Sequence, residues 1–173
     1  MSPGKKRLAL PVFETEFRNV PPAAHAEIPR APSHVEFPRH VPSASYHPRA
    51  AVEWLVDGDR RLLLFASSSW GDFAIDISTG AVVLRLSSGN TLYVNGTLDQ
   101  FRETTKRTID RLPYYDHGAS LEERERVGRE LLDMIKEIDP EAAISDRYWS
   151  TFVDDVVIGD FAREFYEVDD AQS

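Results

Sequence analysis

The sequence of 173 residues contains no cysteine. The chain therefore forms no disulfide, no thiolate zinc site and no cysteine nucleophile. This composition fits a reducing compartment, so we expect the protein in the cytoplasm. The amino-terminal sequence MSPGKKRLALPVF places basic residues before a short apolar run. Because Pro11 interrupts that run and no small-residue cleavage site follows, we predict no secretion signal.

Long apolar runs are also missing. The longest, such as residues 62–66, are far shorter than the roughly 18 residues that span a bilayer. We therefore predict a soluble protein without membrane contact. The chain length and the 42% of hydrophobic residues suffice for one domain with a substantial core, and we expect no second domain.

Positive charge is scarce after residue 50. Residues 51–173 contain 13 Lys or Arg against 25 Asp or Glu, whereas residues 1–50 contain 7 against 4, so the two parts carry −12 and +3. A strongly acidic field repels phosphates, which predicts no nucleic-acid partner, and it accelerates the encounter with a basic protein. The same charge also serves solubility, so charge alone does not choose between these roles.

Nine of the eleven prolines and four of the five histidines lie in residues 1–50. Proline lacks a backbone donor and restricts the residue before it, which argues against regular helix. We predict an extended arm that wraps the core, with an edge strand over residues 8–13. Its apolar anchors would be Phe13, Phe17, Val20, Ile28, Val35, Phe37, Val41 and Tyr46.

Residues 51–95 predict about five consecutive strands. The apolar runs 52–56 and 61–66 flank Asp57-Gly58-Asp59, a hairpin signal. Residues 72–77 alternate polar and apolar side chains, which predicts a strand with one dry face. Two further strands follow, over residues 81–86 and 92–94. Every connection is too short for a crossover, so we predict antiparallel pairing.

Helices follow the strands. Capping boxes are formed by Thr97 with Gln100 and by Ser120 with Glu123. The second helix should present Leu121 to the core, and a third helix over residues 146–157 should present Trp149. The order predicts an α+β fold: an antiparallel or mixed sheet of about five to six strands packed against carboxy-terminal helices. One domain would span residues 51–160, between the arm and an acidic tail at 161–173.

Catalytic and metal-binding patterns are not evident. The spacing of His25, His34, His40, His47 and His117 matches no metal motif. Residues 67–69 lack a nucleophile elbow, Asp57-Gly58-Asp59 lacks the further oxygen ligands of a calcium loop, and no phosphate-binding loop is present. We expect no enzyme activity, no metal and no cofactor.

A binding surface is the better interpretation. Large aromatic side chains near breaks in the pattern, with acidic neighbours, are typical of interface anchors that meet a basic partner. The candidate partner-binding residues are Trp70, Asp72, Asp76, Tyr114, Tyr115, Asp116, Tyr148, Asp154 and Asp155. Trp54 and Trp149 lie on apolar stripes and are predicted in the core.

Several short motifs share one order along the chain. D-x-x-T-G at residues 76–80 lies between two predicted strands, and Y-V-N at 93–95 precedes T-L-x-Q-F at 97–101. Later, IDPEAAISDRYWSTFVDDVVIG combines an I-D-P turn with a helix that has an early Trp. Over roughly residues 66–160 this order resembles the SUKH superfamily of bacterial immunity proteins, in particular its fourth immunity group. Gly96 departs from the small hydroxyl residue usual there.

The resemblance implies a SUKH-like fold and a non-enzymatic immunity protein of a polymorphic toxin system. Such a protein would bind a cognate toxin, often a nuclease or nucleic-acid deaminase, and occlude its active or substrate-binding site. An adaptor or scaffold domain that binds another protein is an alternative. A small hydrolase or metal-dependent enzyme that uses the arm histidines and the acidic face is a second one. The oligomeric state stays open.

Overall fold

A computed structural model describes residues 12–16, 34–38, 41 and 46–161. Near the amino terminus, β1 (Val12–Glu16) pairs antiparallel with β2 (His34–Pro38). The strand predicted over residues 8–13 overlaps β1 at its last two residues, and residues 8–11 lie outside the described part.

A five-stranded antiparallel sheet follows, in which the strands lie side by side in chain order. They are β3 (His47–Asp57), β4 (Arg60–Ser67), β5 (Gly71–Asp76), β6 (Val82–Leu86) and β7 (Thr91–Asn95). Gly58 adopts φ +61° in the β3–β4 turn. Glycine adopts this left-handed conformation without a steric penalty, which explains its place in the predicted hairpin turn. The predicted antiparallel meander is confirmed.

Helices occupy the remainder of the described chain: α1 (Leu98–Asp110), α2 (Leu121–Ile138), a 3₁₀ turn (Pro140–Ala143) and α3 (Tyr148–Ile158). The hydroxyl oxygens of Thr97 and Ser120 accept from the backbone N–H groups of Gln100 and Glu123, at 3.2 Å and 3.1 Å, which confirms the hydroxyl half of each predicted capping box. The Gln100 side chain instead accepts from the Thr97 hydroxyl and donates to the Ile138 carbonyl. The α+β fold is therefore confirmed. Among residues 12–16, 34–38, 41 and 46–161, no helix combines the length and apolarity that a bilayer crossing needs.

One face of the sheet packs on the helices around aromatic side chains. The Phe73 ring on β5 lies 5.5 Å from Tyr148 and 5.8 Å from Phe101, measured between centroids. Trp149 is fully buried, as predicted. Leu121 was predicted in the core, and this prediction was wrong because the side chain is 56% exposed. Leu121 is the first residue of α2 and lies before the part of that helix that packs on α3.

The second face of the sheet is also closed, which corrects the prediction of one dry face. Ala74 and Asp76 on β5 are buried, although the alternation assigned them to the solvated side. A small apolar cluster lies here, formed by Leu62, Leu64, Ala74 and Val83.

Curling of the sheet explains this burial. The Arg85 Nε on β6 lies 2.9 Å from the Asp57 carboxylate at the end of β3, although two strands separate β3 from β6. Arg60 at the start of β4 also donates to the Thr91 hydroxyl on β7. These contacts bring the hairpin tip over the sheet and enclose the second cluster.

The core extends into the segment that was predicted as an arm. Val41 and Tyr46 are buried in the main cluster, and β3 begins before residue 51. At the other end, Phe161 is buried as well. The side chains of the other six predicted anchors lie outside the described residues, as does the tail after Phe161. Wrapping by residues 1–50 therefore stays a prediction.

A buried carboxylate joins the sheet to the helices. Asp139 is 3% exposed, and its Oδ2 accepts from the Gly96 N–H at 2.8 Å and from the Asn95 amide at 3.1 Å. The Tyr93 hydroxyl donates to the same oxygen at 3.1 Å. Oδ1 accepts from the N–H of Glu141 in the 3₁₀ turn.

Asn95 extends this network to the other helices. Its Oδ1 accepts from the Trp149 indole N–H at 2.9 Å, and its amide lies 3.5 Å from the Thr104 hydroxyl. The Gln100 amide donates to the Ile138 carbonyl at 3.0 Å, which fixes α1 to the end of α2. The Y-V-N motif, the I-D-P turn and the early Trp of α3 therefore contribute residues to one hydrogen-bond network.

The helices α2 and α3 approach each other closely at a glycine. A Cβ placed on Gly128 would lie 2.5 Å from Cγ2 of Val157. That distance is shorter than van der Waals contact allows, and the branched valine side chain has little room to move. Glycine here sets the spacing between the two helices.

We predict that Asp139→Ala lowers the free energy of unfolding by about 3 kcal/mol, because each buried donor left without an acceptor costs about 1–3 kcal/mol. Urea denaturation followed by circular dichroism measures it. Asp133→Ala, at an exposed position of α2, is the control and should change the free energy by less than about 0.5 kcal/mol. Equal effects of the two substitutions would contradict the role of the network.

We also predict that Gly128→Ala destabilises the fold by about 1–3 kcal/mol through overpacking, despite the higher helix propensity of alanine. Val157→Ala in the same chain should recover most of that loss, since it removes the clashing methyl group. A double-mutant cycle from denaturation data gives the coupling free energy. Additive effects would show that the clash is absent.

Candidate partner-binding surface

The structure divides the nine predicted partner-binding residues among three places. Trp70, Asp72 and Tyr148 lie around the β4–β5 connection. Asp76 ends β5. The remaining residues lie at or near the carboxyl end of α3, and these are Tyr114, Tyr115, Asp116, Asp154 and Asp155.

At the β4–β5 connection the roles differ. Tyr148 is fully buried, and its ring lies between those of Phe73 and Trp70, with centroid distances of 5.5 Å and 6.2 Å. This packing gives Tyr148 a structural role. Trp70 is half-buried, and Asp72 forms an ion pair with Arg49 at 2.7 Å. Both retain exposed surface that a partner could contact.

Asp76 belongs to a turn. Its carboxylate accepts from the backbone N–H of Ser78 at 2.9 Å and from the Ser78 hydroxyl. Gly80, at φ +77°, donates its N–H to the Asp76 carbonyl. The D-x-x-T-G motif at residues 76–80 thus forms a capped β-turn. The carboxylate of Asp76 already accepts hydrogen bonds within the protein.

The two tyrosines fix the α1–α2 connection to α3. Tyr115 is buried, and its hydroxyl donates to the Val156 carbonyl. Burial raises the pKa of Tyr115. The Tyr114 hydroxyl donates to the Thr108 carbonyl at 2.8 Å, and its ring packs edge-on against Phe152. Asp116 follows them at an exposed position.

Three carboxylates surround the last turn of α3. Asp154 and Asp160 are exposed and Asp155 is partly buried. Gly159 ends the helix in the left-handed conformation at φ +117°, and the Asp160 N–H then donates to the Asp155 carbonyl at 3.1 Å. Burial, followed by the charges of Asp160 and Asp154, raises the pKa of Asp155.

A cation from another helix partly balances this end. The last turn of α3 contains no basic residue, and the helix dipole is negative there. Arg124 on α2 supplies a guanidinium whose Nη1 donates to the Ile158 carbonyl at 2.6 Å. It therefore connects the start of α2 to the end of α3.

Two aliphatic side chains are exposed at the same end. Ile158 is 65% exposed, and Leu121, one turn before Arg124, is 56% exposed. We call this surface the acidic end, comprising Leu121, Arg124, Asp154, Asp155, Ile158 and Asp160. The partner-binding candidates predicted from the sequence did not include Ile158, Asp160 and Arg124. An aliphatic residue directly before a terminating glycine was the available signal for Ile158.

Metal-ligand geometry is not found among the described residues. No three His, Asp or Glu side chains within residues 41 and 46–161 come together as a metal site. His47 and His117 are exposed. His25 and His40, and the side chain of His34, lie outside the described part of the chain.

A model of the family described as SUKH-4 immunity protein matches residues 8–155 of the chain. No curated protein and no solved structure matches. The matched range contains the whole sheet, α1, α2 and the Asp139 network, and it ends within the last turns of α3.

We predict that Asp155→Asn stabilises the protein at pH 7. A carboxyl group whose pKa is higher in the folded than in the unfolded chain destabilises the fold when ionised, so its penalty grows as the pH rises above the ordinary value of 3.8. The gain in unfolding free energy over the wild type should therefore disappear as the pH falls below that value. Urea denaturation across this range measures the difference. Asp133→Asn controls for net charge, and an equal gain from this control would contradict the prediction.

Proposed function

The chain belongs to the SUKH-4 immunity protein family, and from this premise we propose that it binds and neutralises a cognate bacterial toxin. It would do so without chemistry of its own, by covering the active or substrate-binding site of the toxin. The family membership is the observation that carries this proposal. The absence of cysteine fits a reducing compartment and supports action in the cytoplasm.

The charge of the chain favours a toxin that acts on nucleic acid. A nuclease or nucleic-acid deaminase needs a basic cleft to hold phosphates. Residues 51–173 carry a net charge of −12, which complements such a cleft. A protein that presents carboxylates to the cleft competes with the substrate for the same cations.

Ion pairs between neighbouring residues leave this long-range field unchanged. Several arginines on the helices pair with neighbouring carboxylates, for example Arg107 with Glu103 at 2.6 Å and Arg126 with Glu130 at 2.6 Å. Each pair is neutral as a whole, so the surplus carboxylates determine the long-range potential. Such a potential raises the association rate more than it lowers the dissociation rate.

The test is co-expression with the carboxy-terminal domain of the large protein encoded next to this gene, which we take as the toxin of this proposal. We expect growth rescue, co-purification and loss of toxin activity on its nucleic-acid substrate at equimolar protein. The association rate should fall about tenfold between about 20 mM and 150 mM salt, because screening shortens the range of the field.

Three outcomes would contradict the proposal in whole or in part. Rescue without a physical complex would mean that neutralisation does not proceed by occlusion. A complex that leaves the toxin fully active would favour the adaptor hypothesis. An association rate that is indifferent to salt would remove the electrostatic part.

A further inference from the structure

We infer that the toxin docks on the acidic end of the α2–α3 pair. A lysine or arginine of the toxin would lie among the carboxylates there, and an apolar toxin surface would cover the two aliphatic side chains. This inference rests on the proposed function, and it adds the surface and the chemistry of the partner that fits it.

The charges at this end do not stabilise the isolated fold. Carboxylates are favourable at the start of a helix and unfavourable at its end, where the dipole is negative. Asp154 and Asp155 nevertheless occupy the last turns of α3, and Asp160 follows directly. Locally unfavourable choices in an otherwise consistent fold concentrate at functional sites.

Exposed aliphatic residues lie at this end. In the part of the chain that the structure describes, the large apolar side chains with high exposure are Val56, Leu121, Ile144 and Ile158. Two of these four lie at the acidic end: Ile158, whose carbonyl accepts from Arg124, and Leu121, one turn before Arg124 on α2. An apolar centre within a charged rim is the usual composition of a protein interface.

Hydrogen bonds within the protein hold the acidic end in place before a partner arrives. Arg124 fixes α2 to the Ile158 carbonyl, and Tyr115 fixes the preceding loop to the Val156 carbonyl. Gly128 lets the helices pack closely one turn further along. A preorganised surface loses less conformational entropy on binding, so more of the contact energy appears as affinity.

Charge complementarity identifies the partner. Arg124 is the cation among the residues that define the acidic end and already donates to a carbonyl, whereas Asp154, Asp155 and Asp160 contribute three carboxylates. A basic toxin surface supplies the missing positive charge, and the aliphatic side chains require an apolar patch beside it. The basic, partly apolar wall of a nucleic-acid-binding cleft has both properties.

The experiment compares two matched pairs of substitutions in the full chain. Leu121→Ser with Ile158→Ser removes the apolar centre, and Val56→Ser with Ile144→Ser removes two equally apolar side chains exposed elsewhere. Kd for the neighbouring toxin domain is measured by surface plasmon resonance. We expect the first pair to raise Kd at least about tenfold, mainly through faster dissociation, and the control pair to change it less than about twofold.

A second comparison addresses the charges. One variant carries Asp154→Asn, Asp155→Asn and Asp160→Asn. Its control removes three exposed charges elsewhere, through Asp59→Asn, Asp99→Asn and Glu137→Gln. We expect the first variant to slow association about tenfold and the control to slow it about twofold, since interaction between charges weakens with distance. Circular dichroism melting curves establish that all four proteins are folded.

The outcomes separate the two proposals. If the wild type binds and inhibits the toxin and the acidic-end variants bind no worse than their controls, the docking surface lies elsewhere and the proposed function stands. If the wild type neither binds nor inhibits the toxin, the proposed function fails and this inference falls with it. Selective loss in the acidic-end variants supports both.

Discussion

The carboxylate of Asp139 is the constraint on which the rest of the architecture depends. It accepts hydrogen bonds from the end of β7 and from the 3₁₀ turn, and Asn95 carries the same network to α1 and α3. Asn95 and Asp139 are buried, so an alternative arrangement of sheet and helices that left either without its partners would be costly. Through Trp149 the network fixes the start of α3 against the sheet, and Gly159 then ends that helix at the acidic end.

The local elements could be predicted from the sequence because their causes are local. A hairpin requires a positive φ at Gly58, and a helix start requires an acceptor such as Thr97 or Ser120. These signals lie within a few residues of the element that they specify. The strand order followed from connections that were too short for any other pairing.

The remaining features depend on contacts between distant parts of the chain. The closed second face arises from the meeting of Asp57 with Arg85, which no alternation within β5 reveals. Tyr148 is a large amphipathic side chain of the kind that anchors interfaces, yet its position at the start of α3 places it in the core. Leu121 was predicted in the core but is exposed, because α2 begins beyond the end of α3. Arg124 is unremarkable in the sequence and gains its role from the end of α3.

The curl of the sheet has a consequence for the way in which this molecule can meet others. A flat antiparallel sheet with a bare face is open to stacking against its own copies, and that route leads to aggregates. Here the hairpin tip lies over that face and is held by charged side chains, so a second sheet would have to displace them first. The exposed side chains of the helices, by contrast, can be replaced one at a time while the packed layers beneath them stay intact.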